Sequence, residues 1–298
     1  MERKTVADFD PQVLILFDAY VHGALDRRGF LDKAAKYAVG GVTASMLLDQ
    51  LSPKFAEAQQ VAKDDPRLKA EYVEFSSPQG YGTVKGYLAR PAKAAGQRLP
   101  GVLVIHENRG LNPHIEDVAR RLALDNFLAF APDALTPLGG YPAGGEDEAR
   151  ALFQKLEQPK TREDMVAAAG FLRTHGECTG KIGAVGFCYG GGICNFLATR
   201  VPDLLASVPF YGGPPAAEDV PKIKARMLIH YAGTDERINA AWPAYEAALK
   251  AAGVTYEMHM YPGTQHGFNN DTTPRYDKAA AAEAWKRTLA LFNATLRS

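Results

Sequence analysis

Cys188 is the residue of this chain best placed to do chemistry. It stands in Gly186-Phe187-Cys188-Tyr189-Gly190-Gly191, after an apolar run at 181–185 and before a helical pattern at 193–200. The order strand, sharp turn, helix holds the turn residue in a strained backbone conformation. Larger side chains two positions away on either side would collide, so glycine is required at 186 and 190. The turn presents a sulfur at the C-terminal edge of a sheet and at a helix N-terminus. The helix dipole there favours the thiolate, which is the nucleophilic form. An unperturbed thiol, with a pKa of about 8.5, would be mostly protonated at neutral pH.

A thiol nucleophile needs a base, and the base needs an orienting acid. Nucleophile elbows of this kind belong to the α/β-hydrolase architecture, where the chain order is nucleophile, acid, histidine. Two loops after Cys188 fit that order. Ala232-Gly233-Thr234-Asp235-Glu236-Arg237 follows the apolar run 227–231, and Gly263-Thr264-Gln265-His266-Gly267-Phe268 follows 257–261. Both begin where a buried strand should end, so Asp235 and His266 are expected on the same sheet edge as Cys188. Asp235 would fix the tautomer of His266, and His266 would carry the proton to the leaving group. Glu236 is a weaker rival for the acid. His259 is a weaker rival for the base, since it lies inside a strand pattern. An oxyanion needs two backbone N–H donors. The expected pair is Tyr189, next after the nucleophile, and Asn108, in the loop His106-Glu107-Asn108-Arg109-Gly110.

Gly-Phe-Cys-Tyr-Gly-Gly, the Gly-Thr-Asp loop, His-Gly-Phe, His-Glu-Asn-Arg-Gly and Ala-Pro-Asp together resemble the dienelactone hydrolase family, over about residues 70 to 298. The resemblance implies hydrolysis of an ester or lactone through a Cys-His-Asp triad and an acyl-enzyme, with no cofactor; the sequence has no metal-ligand cluster of the C-x-x-C or H-E-x-x-H kind, so no metal is expected. It also implies that Glu107 contacts the cysteine and helps generate the thiolate. Two arginines that bind the substrate carboxylate in members acting on dienelactone itself are not matched. The turn after Asp133 continues Ala134-Leu135-Thr136-Pro137, and the later position is Asn270. Arg109 and Arg275 are near in sequence but do not match. The hydrolase chemistry is therefore expected to carry over and the dienelactone substrate is not. A neutral or bulkier ester fits better, with Tyr141, Tyr211 and Phe268 as lining residues or as core. Two rival readings are a non-catalytic binding protein on the same fold and a hydrolase of another bond, such as a thioester or peptide.

The elements that must position these groups are legible as alternating patterns. Residues 72–75 and 84–88 read as an antiparallel hairpin. The runs 101–106, 127–131, 205–211, 226–231 and 255–261 read as strands, with helices at 115–124, 146–156, 162–175, 240–251 and 277–295. Such alternation predicts a mostly parallel sheet flanked by helices, with the site beyond the strands' C-terminal ends. The 298 residues are 46% hydrophobic and carry zero formal net charge, which suits one large α/β domain and gives no nucleic-acid footprint. Three cysteines, at 178, 188 and 194, make no disulfide framework.

Residues 1–58 are a different kind of sequence. Asp26-Arg27-Arg28-Gly29-Phe30-Leu31 precedes a weakly apolar stretch at 37–48 and then Ala56-Glu57-Ala58. Paired arginines, an apolar region and a small-residue site resemble a twin-arginine export signal, which would place the protein in the periplasm. The alternative is a cytoplasmic protein with a helical N-terminal extension, its apolar face at Val13, Leu14, Phe17 and Val21, packed on the domain or on a second subunit of a homo-oligomer. The apolar run is too short and glycine-rich to span a membrane. Residues 59–70 read as a linker, and 71–298 as the α/β-hydrolase domain.

Overall fold

The computed structural model describes residues 4–298; Met1 to Arg3, at the start of the expected extension, lie outside the described residues. Eight strands form one sheet: β1 (Leu68–Ser77), β2 (Gly82–Pro91), β3 (Leu99–Ile105), β4 (Leu128–Pro132), β5 (Cys178–Phe187), β6 (Leu204–Phe210), β7 (Arg226–Ala232) and β8 (Tyr256–Tyr261). Their order is β1-β2-β4-β3-β5-β6-β7-β8. Strand β2 runs antiparallel to both of its neighbours, and every pairing from β4 to β8 is parallel. Strand β3 is buried along its whole length, as a strand covered on both faces must be.

Seven helices belong to the sheet domain: α5 (Pro113–Leu124), α6 (Glu146–Phe153), α7 (Gln158–Thr174), α8 (Tyr189–Arg200), α9 (Glu236–Asn239), α10 (Trp242–Ala251) and α11 (Lys278–Leu296). They divide the interior into two apolar layers, one centred on Leu103, Met165 and Ile193 and the other on Val104, Val185 and Phe292. Helix α8 begins at Tyr189, four residues before the apolar pattern that marks it in the sequence. The glycines at its start contribute no hydrophobic signal.

Four further helices, α1 (Pro11–Val21), α2 (Arg27–Ala34), α3 (Ala44–Leu51) and α4 (Phe55–Ala58), precede the sheet. The first three share a core of their own, in which Phe17, Tyr20 and Phe30 meet at ring-centroid distances of 5.6–6.3 Å. Phe30 is completely buried there, and Arg27 pairs with Asp147 of α6 at 2.6 Å. Both residues of the arginine-phenylalanine motif thus sit in folded surroundings. Among the described residues no helix is long and apolar enough to cross a membrane.

Candidate functional site

The turn between β5 and α8 has the predicted strain. Cys188 adopts φ 55° and ψ −111°, with its N–H donated to the Phe210 carbonyl at 3.1 Å. A Cβ on Gly186 would lie 2.2 Å from the Gly190 carbonyl oxygen, and one on Gly190 would lie 2.3 Å from that of Ile105. These approaches are far inside van der Waals contact, so only glycine fits at either position.

Asp235 caps α9, and His266 lies in the loop after β8. The two side chains meet with Nδ1 of His266 2.5 Å from Oδ2 of Asp235, and both are buried. The other nitrogen of His266, Nε2, is buried and has no hydrogen-bond partner of its own. A ring nitrogen of His266, a ring nitrogen of His22 and Sγ of Cys188 all lie within 4.8 Å of one another. The structure therefore brings Cys188, His266 and Asp235 together from three separate loops. The rivals lie apart from this group. Glu236 is exposed on α9, and His259 sits within β8 beside Glu257.

His22 is the residue that sequence reasoning missed. It follows α1, and its Nε2 stands 3.5 Å from Sγ of Cys188. Its ring meets that of His266 edge-on at 4.7 Å. Its Nδ1 lies 2.8 Å from the Asp18 carbonyl oxygen and 3.3 Å from the Asp18 carboxylate. No motif spacing links residue 22 to residue 188, so nothing local could have announced the contact.

The charges decide the state of the sulfur. Burial pushes the Cys188 thiol up, but the positive charge of His266 and the hydrogen bond from His22 outweigh it and bring the thiol down to about 5. For His22, burial pushes down, while bonds to Asp18 and Cys188 lift it to about 10. His266 is raised as well, with the Cys188 charge and the Asp235 bond overcoming burial. The other two cysteines are pushed up by burial and have no such partners. The result is a thiolate facing imidazolium. Sulfur and two imidazoles is also a soft-metal donor set. Arg237, however, sets its Nη2 3.1 Å from Nε2 of His22, and this fixed positive charge disfavours a metal ion there.

Tyr189 opens α8, where its N–H has no intrahelical acceptor, and Asn108 lines the same cavity. The Asn108 side chain is taken up by the Val21 carbonyl at 3.0 Å. Glu107 is buried and accepts a bond from Asn270 Nδ2 at 3.1 Å, while His22 occupies the approach to the sulfur. Asn270 thus anchors Glu107. Arg109 is tied to Glu146 at 2.6 Å, and Arg275 to Asp18 at 3.4 Å. Neither is free to clamp a substrate carboxylate.

A cavity of about 450 Å³ opens beside Cys188, lined by Ile193, Phe196, Tyr211, Pro214 and Pro215, with Arg162 and Arg237 as cations. Tyr211 is fully buried, meets the His266 ring at a tilt with centroids 4.8 Å apart, and leaves its hydroxyl without a hydrogen-bond partner. Tyr141 instead donates to Glu146, and Phe268 packs in the core.

Residues 84–296 match the model of the dienelactone hydrolase family, and residues 1–37 match a separate family described as YqhI-like. A Saccharolobus solfataricus protein named "Putative carboxymethylenebutenolidase" is 32% identical over 68% of this chain and 91% of its own length. "Protein usf" of Aquifex pyrophilus is 35% identical over 70% of this chain and 92% of its own. Among solved structures, the dienelactone hydrolase-like promiscuous phosphotriesterase P91 from metagenomic libraries aligns with a TM-score of 0.65 at 25% identity. That alignment covers 77% of this chain and 99% of P91.

Proposed function

The chain belongs to the dienelactone hydrolase family, and from that membership we propose that it hydrolyses carboxylic ester or lactone bonds through Cys188, His266 and Asp235. One observation carries the reading: a strained elbow holds a sulfur, drawn toward thiolate, against a histidine that a buried aspartate orients.

The steps follow from the groups present. The Cys188 thiolate adds to the substrate carbonyl, and the oxyanion forms against the N–H groups of Tyr189 and Asn108. The intermediate collapses to a thioester and expels an alkoxide, which takes the proton of the His266 imidazolium. Neutral His266 then removes a proton from water, and the resulting hydroxide adds to the thioester. Collapse releases the acid and restores the thiolate beside imidazolium. Asp235 keeps Nε2 of His266 facing the reaction throughout. Glu107, held by Asn270, is proposed to accept the thiol proton whenever Cys188 is protonated.

The cavity's apolar wall and the two engaged arginines support a neutral ester with a sizeable acyl or alkyl group. A series of p-nitrophenyl esters and lactones of graded size tests this. Turnover should rise with apolar chain length until about 450 Å³ is filled, and Cys188→Ala should abolish it. Undiminished turnover in that variant contradicts the proposal. The periplasmic reading depends on the extension: cleavage after Ala58 would remove His22 from the site, whereas retention of residues 1–58 keeps it there.

A further inference from the structure

We propose that the active site is composite, with His22 of the N-terminal extension as a working catalytic residue whose imidazolium holds the Cys188 thiolate alongside His266. The inference rests on Cys188 being the nucleophile.

Geometry comes first. The residues just before His22 are tied to the sheet domain. Val21 gives its carbonyl to Asn108, and Tyr20 bonds Asp147 through its hydroxyl. The Tyr20 carbonyl accepts from Arg150 Nη1 at 2.5 Å, and the Arg150 guanidinium lies 3.6 Å from the Tyr20 ring centroid. Asp18, one turn earlier on α1, is itself held by Arg275. An extension merely resting on the domain would not need this many polar ties around one residue.

Orientation comes second. Asp18 stands to His22 as Asp235 stands to His266. Each aspartate holds Nδ1 of its histidine, which turns Nε2 of His22 onto the sulfur and leaves Nε2 of His266 free for the reaction. The charged groups facing His22 are Asp18 on its own helix, Cys188 and His266 beneath it, and Arg237 from α9. Arg109 lies within electrostatic reach of Cys188. Asp18 and the thiolate favour the proton on His22, and His266 and Arg237 oppose it. Arg237 is exposed and screened, so Asp18 and the Cys188 thiolate, both less exposed, prevail.

Function comes third. His266 gives its proton to the leaving alkoxide and regains one from water, so its charge comes and goes through the cycle, whereas His22 gives the sulfur a second cationic partner that no step discharges. With His22 in place, the sulfur keeps a counter-ion when it departs from the thioester. No bond is made or broken at His22. His22 and Cys188 fall in segments that match two separate families, at 1–37 and 84–296.

The test uses the full chain, as wild type, His22→Gln, His22→Ala and Asp18→Asn, with Cys188→Ala subtracted as the blank. Thiolate ultraviolet absorbance is followed against pH, with the iodoacetamide labelling rate of Cys188 as second readout. Both His22 variants should titrate about one pH unit or more higher and label roughly tenfold slower near pH 4, below both midpoints. Added imidazole should restore the labelling of His22→Ala, and Asp18→Asn should shift in the same direction by less. Variants that fold, as shown by circular dichroism, and titrate like wild type overturn the inference. If His22→Ala fails to fold, an unmoved titration in Asp18→Asn and His22→Gln overturns it equally. A wild-type thiol that titrates near its ordinary value overturns the underlying nucleophile assignment instead.

Discussion

Three cysteines in one chain meet three environments, and only one is tuned for reaction. Cys178 and Cys194 are buried without an imidazole partner, and burial pushes both thiols up, in Cys178 against the charge of Arg98. Cys188 is half-buried beside two imidazoles. The sign of the pH dependence follows. The Cys188 pKa is depressed from an ordinary 9.0 to about 5, so the benefit of its charged form is lost as pH falls through about 5. His22 is raised from 6.5 to about 10, so its contribution is complete below 6.5 and is lost as pH rises through about 10. The kcat/KM profile should therefore fall on its acid side near pH 5 and stay level through neutrality. An acid limb near pH 8 to 9 would mean that the sulfur has no such partners. Cys188, Asp235 and His266 were legible because elbow and post-strand loops are local patterns with a fixed chain order. His22 was not, because its contact with Cys188 spans 166 positions and depends on how two packed units meet.

At the scale of elements, the sheet does the positioning. Strands β5, β7 and β8 end at one rim, so each following loop delivers one member of the constellation. Period-2 and continuous apolar runs made these strands readable, and the β1–β2 hairpin was equally plain. The start of α8 was hidden by three glycines, of which Gly190 and Gly191 are present for close approach rather than for helix propensity. Gly186→Ala should therefore be costly. Its new methyl would meet the Gly190 backbone, which cannot move without dragging α8, and the loss should be about 1–3 kcal/mol in chemical denaturation. A variant as stable as the parent would mean that the elbow is looser than described.

For the whole molecule, the extension and the sheet domain form one functional surface. The sequence offered two accounts of residues 1–58, and Arg27 carries both an export resemblance and a folded role, its pairing with Asp147. Composition could not separate them, since a weakly apolar helix suits either. The folded account has a consequence. Phe30→Ala should hollow out the extension's own core at a cost of about 3–5 kcal/mol to its packing. Limited proteolysis should then cut within residues 23–60 of this variant while the sheet domain stays intact. Equal resistance in variant and parent would show that the small core does not hold the extension down.

The most direct test of the account is to quench a reaction with excess p-nitrophenyl ester in acid and map the acyl group by peptide mass spectrometry. The account predicts one acyl group per chain, on the peptide bearing Cys188, appearing with a burst of nitrophenol. Acyl label on another side chain, or steady turnover with the sulfur removed, would contradict it.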